Sequence, residues 1–280
     1  MSMIKALVSL NMDLASSIAL RYSCRLAEII GMKLHTMHVE EVDKEGYSPG
    51  TGWVRSTWEK GLLQTSQEEI LQLINTEKSS CPSLDAPIIR IGEREEELLH
   101  EIDDGSYDLF IEGVLHSFNA VNFYKKIQSK LYRYASCPII IVKNLVDLNS
   151  IALLLGDDTD VRPLITSILK IFTKSELTVD LIHYTFQKFK GSVFREKVDD
   201  SKTPGRENGD KVLGKAEMML SEMGCYPKDS WVIQDSPKKI ADFLGGYGLV
   251  AAYIPSHSGM KNRLIELLSQ VPSATLLCRR

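Results

Sequence analysis

Small, hydroxyl-bearing and basic side chains follow an apolar segment near the end of the chain. The segment ends at Ile254, and a predicted helix begins a few residues later. Serine hydroxyls and closely approaching glycine amides at a helix start suit an anion, and nearby cations neutralise it. The residues of this predicted anion site are Ser256, Ser258, Gly259, Lys261 and Arg263. A serine-rich turn is also an ordinary helix cap, so both interpretations stay open.

An acidic residue follows an earlier apolar segment of the same half. Asp157 comes directly after Gly156, just beyond the segment Ile151 to Leu155. The carboxyl ends of parallel strands meet at one edge of a sheet, and doubly wound proteins bind their ligands there. Asp157 and the serine-rich turn are therefore predicted to contribute to one site.

Histidine occurs in two apolar segments that have similar surroundings. His38 lies within Leu34 to Val39, and His183 lies within Leu177 to Tyr184. A repeated histidine suggests acid–base or metal chemistry if carboxylates or further histidines converge on it. Without such partners a structural role is favoured. The sequence contains no Ser–His–Asp, Cys–His or HExxH arrangement, so no catalytic or metal residue is predicted.

The segments that must position these residues occur twice along the chain. Each half alternates short apolar runs with amphipathic stretches, which predicts parallel strands joined by crossover helices. The strand candidates of the first half are Ala6–Val8, Leu34–Val39, Ile88–Ile91, Asp108–Gly113 and Pro138–Val142. Those of the second half are Ile151–Leu155, Leu177–Tyr184, Trp231–Ile233, Gly248–Ile254 and Ala274–Cys278. The predicted fold class is α/β, with two doubly wound parallel-sheet domains at residues 1–146 and 147–280.

The first predicted helix carries a signal at each of its ends. Its apolar stripe runs over residues 14–30. Asp13 or Ser16 can accept hydrogen bonds from the first free amides, and Gly31 can end the helix in a left-handed conformation.

Composition limits the classes of function. The chain has 280 residues, 44% hydrophobic and 25% charged, with a net charge of −4. These values are typical of a globular protein, and they argue against nucleic-acid binding. No apolar run reaches the length of a membrane span and no signal-peptide pattern is evident. Five widely spaced cysteines predict reduced thiols and a cytoplasmic location.

Three segments of the first half resemble the universal stress protein family. The opening residues 6–11 (ALVSLN) are similar to the family's first strand and turn, and residues 34–39 (LHTMHV) to its "LHV" strand. Residues 108–113 (DLFIEG) and 136–142 (SCPIIIV) are similar to its "DLIVMG…CPVLVV" ending. The second half shows the same order more faintly, so the chain resembles a tandem member of this family.

The resemblance implies two adenine nucleotide alpha hydrolase-like domains packed as a pseudo-dimer. Nucleotide-binding members hold ATP with an acidic residue after the first strand and a glycine-rich loop after the fourth. In the first half, the matching positions are Asn11 with Asp13, Val39, Gly113 and His116. This half lacks the later glycines of the loop, because His116 and Lys125-Lys126 stand near those places. Loss of tight ATP binding there is therefore favoured.

Three functional hypotheses follow. The leading one is a non-enzymatic cytoplasmic stress-response protein that acts through protein partners, a homo-oligomer or weak ligand binding, with no certain cofactor and no membrane. The alternative is an ATP- or AMP-binding regulatory switch that uses Asp157, Ser256, Ser258 and Gly259 of the second half. A weaker third hypothesis gives the fold nucleotidyl-transfer or electron-transfer-flavoprotein-like chemistry, against which the missing phosphate loop counts.

Overall fold

A computed structural model describes residues 3–41, 53–77, 81, 84–115, 119–157, 159–172, 175–187, 204–255 and 262–279. The chain divides into two compact units. The first comprises residues 1–117 and 125–145, and the second comprises 118–124 and 146–280. Among the described residues, no helix combines the length and apolarity needed to cross a bilayer.

The first unit is a five-stranded parallel sheet with crossover helices. Its strands lie in the order β3-β2-β1-β4-β5. In chain order the elements of residues 1–145 are β1 (Lys5–Ser9), α1 (Leu14–Ile30), β2 (Lys33–Glu40), α2 (Trp53–Glu77), β3 (Ile88–Ile91), α3 (Arg94–Gly105), β4 (Leu109–Gly113), α4 (Ala120–Ile127), α5 (Lys130–Tyr134) and β5 (Ile139–Val142). Of α4, residues 120–124 are assigned to the second unit and 125–127 to the first.

The second unit repeats this topology. Its strands lie in the order β8-β7-β6-β9-β10, and the pairs among them are parallel. The elements are β6 (Ser150–Leu155), α6 (Val161–Phe172), β7 (Thr178–Phe186), α7 (Pro204–Glu222), β8 (Ser230–Asp235), α8 (Pro237–Leu244), β9 (Leu249–Tyr253), α9 (Arg263–Gln270) and β10 (Ala274–Cys278). The predicted α/β fold class with parallel sheets is therefore confirmed.

Local signals place the helices where the sequence predicts them. Asp13 caps α1 by accepting a hydrogen bond from the Ser16 amide at 2.8 Å, and Gly31 ends the helix at φ 67°. Glu93 caps α3, and Ser236 caps α8. The central strands have almost no polar face because helices cover both sides of a parallel sheet.

A disulfide contradicts the prediction that all five cysteines are reduced. Cys24 in α1 is bonded to Cys81, which follows α2, with their Cα atoms 5.3 Å apart. The two residues are 57 positions apart in the sequence, so only the packing of α1 beside α2 brings them together. Cys137, Cys225 and Cys278 are not in disulfide bonds. The predicted cytoplasmic location loses this support, since stable disulfides are typical of oxidising compartments.

We expect Cys81→Ser to lower the free energy of unfolding by up to about 4 kcal/mol, because the bond closes a long loop in the unfolded chain. Denaturant titration of the oxidised protein measures this loss. Cys225→Ser, which removes a free thiol, is the matched control. A reductant should abolish the difference between Cys81→Ser and the parent protein, and five titratable thiols in unreduced, denatured protein would contradict the bond.

Candidate functional site

A cleft of about 300 Å³ opens at the carboxyl ends of β6, β7 and β9 in the second unit. This volume is at the lower end of the range for small-molecule sites. Its walls combine aromatic rings with a few polar groups. The lining residues are Gly156, Asp157, Thr159, Tyr184, Thr185, Phe186, Tyr253, Pro255, Asn262 and Leu264. The cleft therefore lies at the edge of the sheet where the sequence predicts a ligand site.

A buried histidine holds the carboxylate of this cleft. His183 is fully buried, and its Nε2 lies 3.0 Å from Oδ1 of Asp157, whose side chain is 47% exposed. The other ring nitrogen, Nδ1, is buried without a hydrogen-bond partner. It faces Gly209 of α7, where an added Cβ would lie 2.7 Å from it. Nε2–H therefore donates to Asp157, because a carboxylate only accepts.

The remaining walls are set by β7 and by the start of α9. Tyr184 and Phe186 pack against each other with their ring centroids 5.1 Å apart. The guanidinium of Arg263 lies 4.6 Å from the centroid of the Phe186 ring, and it donates to the carbonyl of Gln187 at 2.9 Å. Asn262 caps α9 by accepting from the Leu264 amide at 2.9 Å. The cleft thus joins an aromatic wall, one carboxylate and a capped helix start.

The predicted residues of the second unit are only partly placed by the structure. Asp157 lines the cleft, and its role in ligand binding stays a prediction. Arg263 is the first residue of α9, beside the cleft. Ser256, Ser258, Gly259 and Lys261 lie outside the described residues, as does His116 of the first unit, so their roles stay predictions. Sequence reasoning missed Tyr184, Phe186 and Tyr253, whose only signal was an aromatic residue at the end of an apolar run.

Strand register identifies the equivalent positions of the two units. The first rungs pair Lys5 with Lys33 and Ser150 with Thr178. His38 follows Lys33, and His183 follows Thr178, by the same number of residues. This confirms that the two histidines occupy equivalent positions near the ends of their strands. The same counting matches Val39 with Tyr184, and Gly113 with Tyr253.

The described site residues that the sequence predicts in the first unit make structural contacts. Asp13 caps α1, and the Asn11 amide donates to Ser16 Oγ at 2.7 Å. Val39 is a buried strand residue. A Cβ on Gly113 would lie 1.9 Å from the carbonyl oxygen of Ala15, so glycine is required there by the close approach of β4 to α1. The retention of Gly113 therefore has a packing cause independent of any phosphate.

His38 differs from His183 in its partners. Its Nδ1 lies 2.9 Å from the Leu10 carbonyl oxygen, and its Nε2 lies 3.2 Å from Glu40. Ser66 of α2 donates to the same carboxylate at 2.9 Å. His38 thus ties the end of β1 and the helix α2 to β2, which is a structural role.

A buried ion cluster lies on the face of β4 opposite to Gly113 in the first unit. Glu112, only 3% exposed, contacts Arg94 at 3.1 Å and Lys126 at 2.9 Å. Tyr132 also donates to this carboxylate, and Arg94 donates to Ser9 at 2.9 Å. Burial alone would raise the pKa of Glu112, but Lys126, Arg94 and the Tyr132 hydrogen bond outweigh it and hold the pKa below the usual value of a glutamate.

The described residues of the second unit do not form such a cluster. Ala252 of β9 has the same position in the strand register as Glu112 of β4. Pro237, the first residue after the cap of α8, is the counterpart of Arg94, the first residue after the cap of α3. The sequence signal for the cluster was a glutamate inside the apolar strand Leu109–Gly113. Sequence reasoning missed it because the cations come from distant helices.

We expect Glu112→Gln to lower the free energy of unfolding by about 3 kcal/mol at neutral pH, since it leaves Arg94 and Lys126 near a buried site without a counter-charge. The depressed pKa means that the carboxylate stabilises the fold above its unfolded pKa, and that this contribution disappears as the pH falls through the folded pKa. Denaturant titrations at several pH values should therefore show the two proteins converging in acid.

Glu96→Gln is the matched control for this prediction. Glu96 pairs with Lys130 at 2.7 Å, but both side chains are about half exposed. Such exposed pairs contribute less than about 1 kcal/mol. An equal loss in both variants, or a Glu112→Gln effect that does not depend on pH, would contradict the assignment.

Comparison with known proteins agrees with this architecture. A crystal structure of a universal stress protein from Archaeoglobus fulgidus DSM 4304 is 13% identical and has a TM-score of 0.68, over 99% of this chain and 98% of that chain. A functionally unknown protein, PA1789 from Pseudomonas aeruginosa PAO1, is also 13% identical and has a TM-score of 0.56, over 99% of this chain and 93% of that one.

No protein-family model and no curated protein sequence matches the chain. At 13% identity the structural likeness is one of fold, and it extends over essentially the whole length of both chains. The chain therefore has the tandem fold of the universal stress proteins, as its sequence motifs predict.

Proposed function

We propose that this chain is a non-catalytic stress-response protein that binds an adenine nucleotide or nucleoside in the cleft of its second unit. The observation that supports the proposal is the cleft itself, which combines a carboxylate with three aromatic rings at the carboxyl ends of the strands. Aromatic rings offer a flat surface to a base, and the carboxylate accepts hydrogen bonds from ribose hydroxyls or from an amine.

The first unit supports this proposal by contrast. Its equivalent positions hold Val39 in place of Tyr184 and Gly113 in place of Tyr253, and Gly113 packs directly against the backbone of Ala15. The aromatic walls are therefore a property of the second unit. We assign ligand binding to the second unit and a structural role to the described site residues of the first.

The first experiment is to denature freshly purified protein and to identify released small molecules by chromatography and mass spectrometry. Calorimetric titration with adenosine, AMP and ATP follows. Stoichiometric release of an adenine compound, or saturable binding of any of the three, supports the proposal. An empty protein that binds none of them up to millimolar concentration rejects it.

We expect Tyr253→Ala to weaken binding of the adenine ligand by at least tenfold, because the variant removes one wall of the cleft. Calorimetric titration measures the dissociation constant. Tyr226→Ala is the matched control, since Tyr226 is 75% exposed and does not line the cleft. Circular dichroism checks that both variants fold. Equal affinities of Tyr253→Ala and the parent protein would reject the cleft as the binding site.

The other functional expectations keep their status as predictions. They concern protein partners, a homo-oligomer, the absence of nucleic-acid binding, a cytoplasmic location and the packing of the units as a pseudo-dimer. ATP hydrolysis abolished by a single substitution would overturn the non-catalytic assignment.

A further inference from the structure

We infer that the Cys24–Cys81 disulfide of the first unit is a redox site at which a small thiol attacks the sulfur of Cys81. The inference is independent of the proposed ligand site in the second unit. It follows from a cavity beside the bond, from the unequal positions of the two sulfurs, and from an ion pair that links the same part of the structure.

A cavity of about 130 Å³ connects the surface of the first unit with Cys81. Three exposed residues line it, Asn75, Asp85 and Ala86, together with two buried ones, Ile74 and Cys81. The lining therefore runs from the solvent to the disulfide. A volume of this size holds several water molecules, so it has room for the thiol end of a small molecule.

The two sulfurs differ in their access to this cavity. Cys81 lines the cavity, and Cys24 does not. Cys24 is 1% exposed and lies on the buried face of α1, one turn after Leu20. The rate of thiol–disulfide exchange depends on which sulfur the attacking thiolate can reach. Cys81 is therefore the point of attack, and Cys24 is the leaving group.

The exchange takes place in two steps. A thiolate forms a bond with Sγ of Cys81, and the bond between the two cysteines breaks. Its electron pair goes to Sγ of Cys24, which leaves as a thiolate and takes a proton from water. A second thiol then attacks the sulfur of the first in the mixed disulfide and releases Cys81. In total, two thiols are oxidised to their disulfide and the protein disulfide is reduced to two thiols.

An ion pair holds α1 and α2 together independently of the disulfide. Arg21, one turn before Cys24, donates from Nη2 to one carboxylate oxygen of Glu77 at 2.9 Å and from Nε to the other. Glu77 is the last residue of α2, and its side chain is 4% exposed. Bidentate pairs of this kind are among the stronger hydrogen-bonded contacts. Reduction therefore removes the covalent link while the helices stay in contact, and the bond can form again.

Alkylation of Cys24→Ser and Cys81→Ser in native buffer tests the inference. Each variant lacks the bond and retains one of its thiols, so each is the matched control of the other. We expect iodoacetamide to modify Cys81 of the first variant at least tenfold faster than Cys24 of the second, measured by mass spectrometry of digested samples. Cys225 should react at the same rate in both, and circular dichroism checks that both fold. Equal rates for Cys81 and Cys24, or no reaction of Cys81 without denaturant, would overturn the inference.

The oxidised parent protein provides a test that does not depend on the folding of a variant. The full chain is incubated with reduced glutathione in native buffer, and samples are quenched in acid at short times. We expect the glutathione adduct on Cys81 to exceed the adduct on Cys24 at least tenfold, with the circular dichroism spectrum retained. An adduct on Cys24 of equal or greater amount contradicts the assigned point of attack. The redox site itself is rejected if glutathione reduces the bond only when secondary structure is lost, or does not reduce it at all.

Discussion

The parallel pairing of the central strands with their neighbours determines where chemistry is located in both units. Because β1 and β6 each pair in parallel on both sides, every carboxyl end in a sheet lies at the same edge. The loops that follow β1 and β6 therefore meet the ends of two further strands. Asp157, Tyr184 and Tyr253 come from three separate segments of the chain, and they line one cleft for this reason.

Equivalent positions of the two units have different roles although the strand topology is the same. In the first unit, Gly113 permits the backbone of β4 to approach Ala15 of α1 closely. In the second unit the equivalent residue is Tyr253, whose ring lines the cleft. A glycine at this place favours close packing of helix on strand, and a tyrosine favours a wall for a ligand.

Charge is distributed between the units in the same unequal way. The first unit buries a carboxylate among two cations and a tyrosine hydroxyl, on the face of β4 opposite to Gly113. Such a cluster fixes the relative positions of β4, α3 and α4 because leaving any one partner unpaired is costly. The second unit has Ala252 and Pro237 at the matching places, and the carboxylate of Asp157 in its cleft is held by a histidine instead.

The sequence by itself determined the α/β class, the twofold repeat, the ends of α1 and the placement of Asp157 at a strand end. These features depend on local periodicity, on capping chemistry and on the order of apolar runs, all of which are properties of neighbouring residues. The equivalence of His38 and His183 could be predicted for the same reason.

Only the tertiary structure decided which partners these residues have. It paired Cys24 with Cys81 across 57 positions, and it gave Glu112 its two cations. It also placed the carboxylate of Asp157 against one ring nitrogen of His183. It also showed that Gly113 serves packing. Contacts of this kind depend on how helices lie on a sheet. A sequence pattern with a period of two or 3.6 residues shows which face of an element is buried, but it does not show which distant side chains that face will contact.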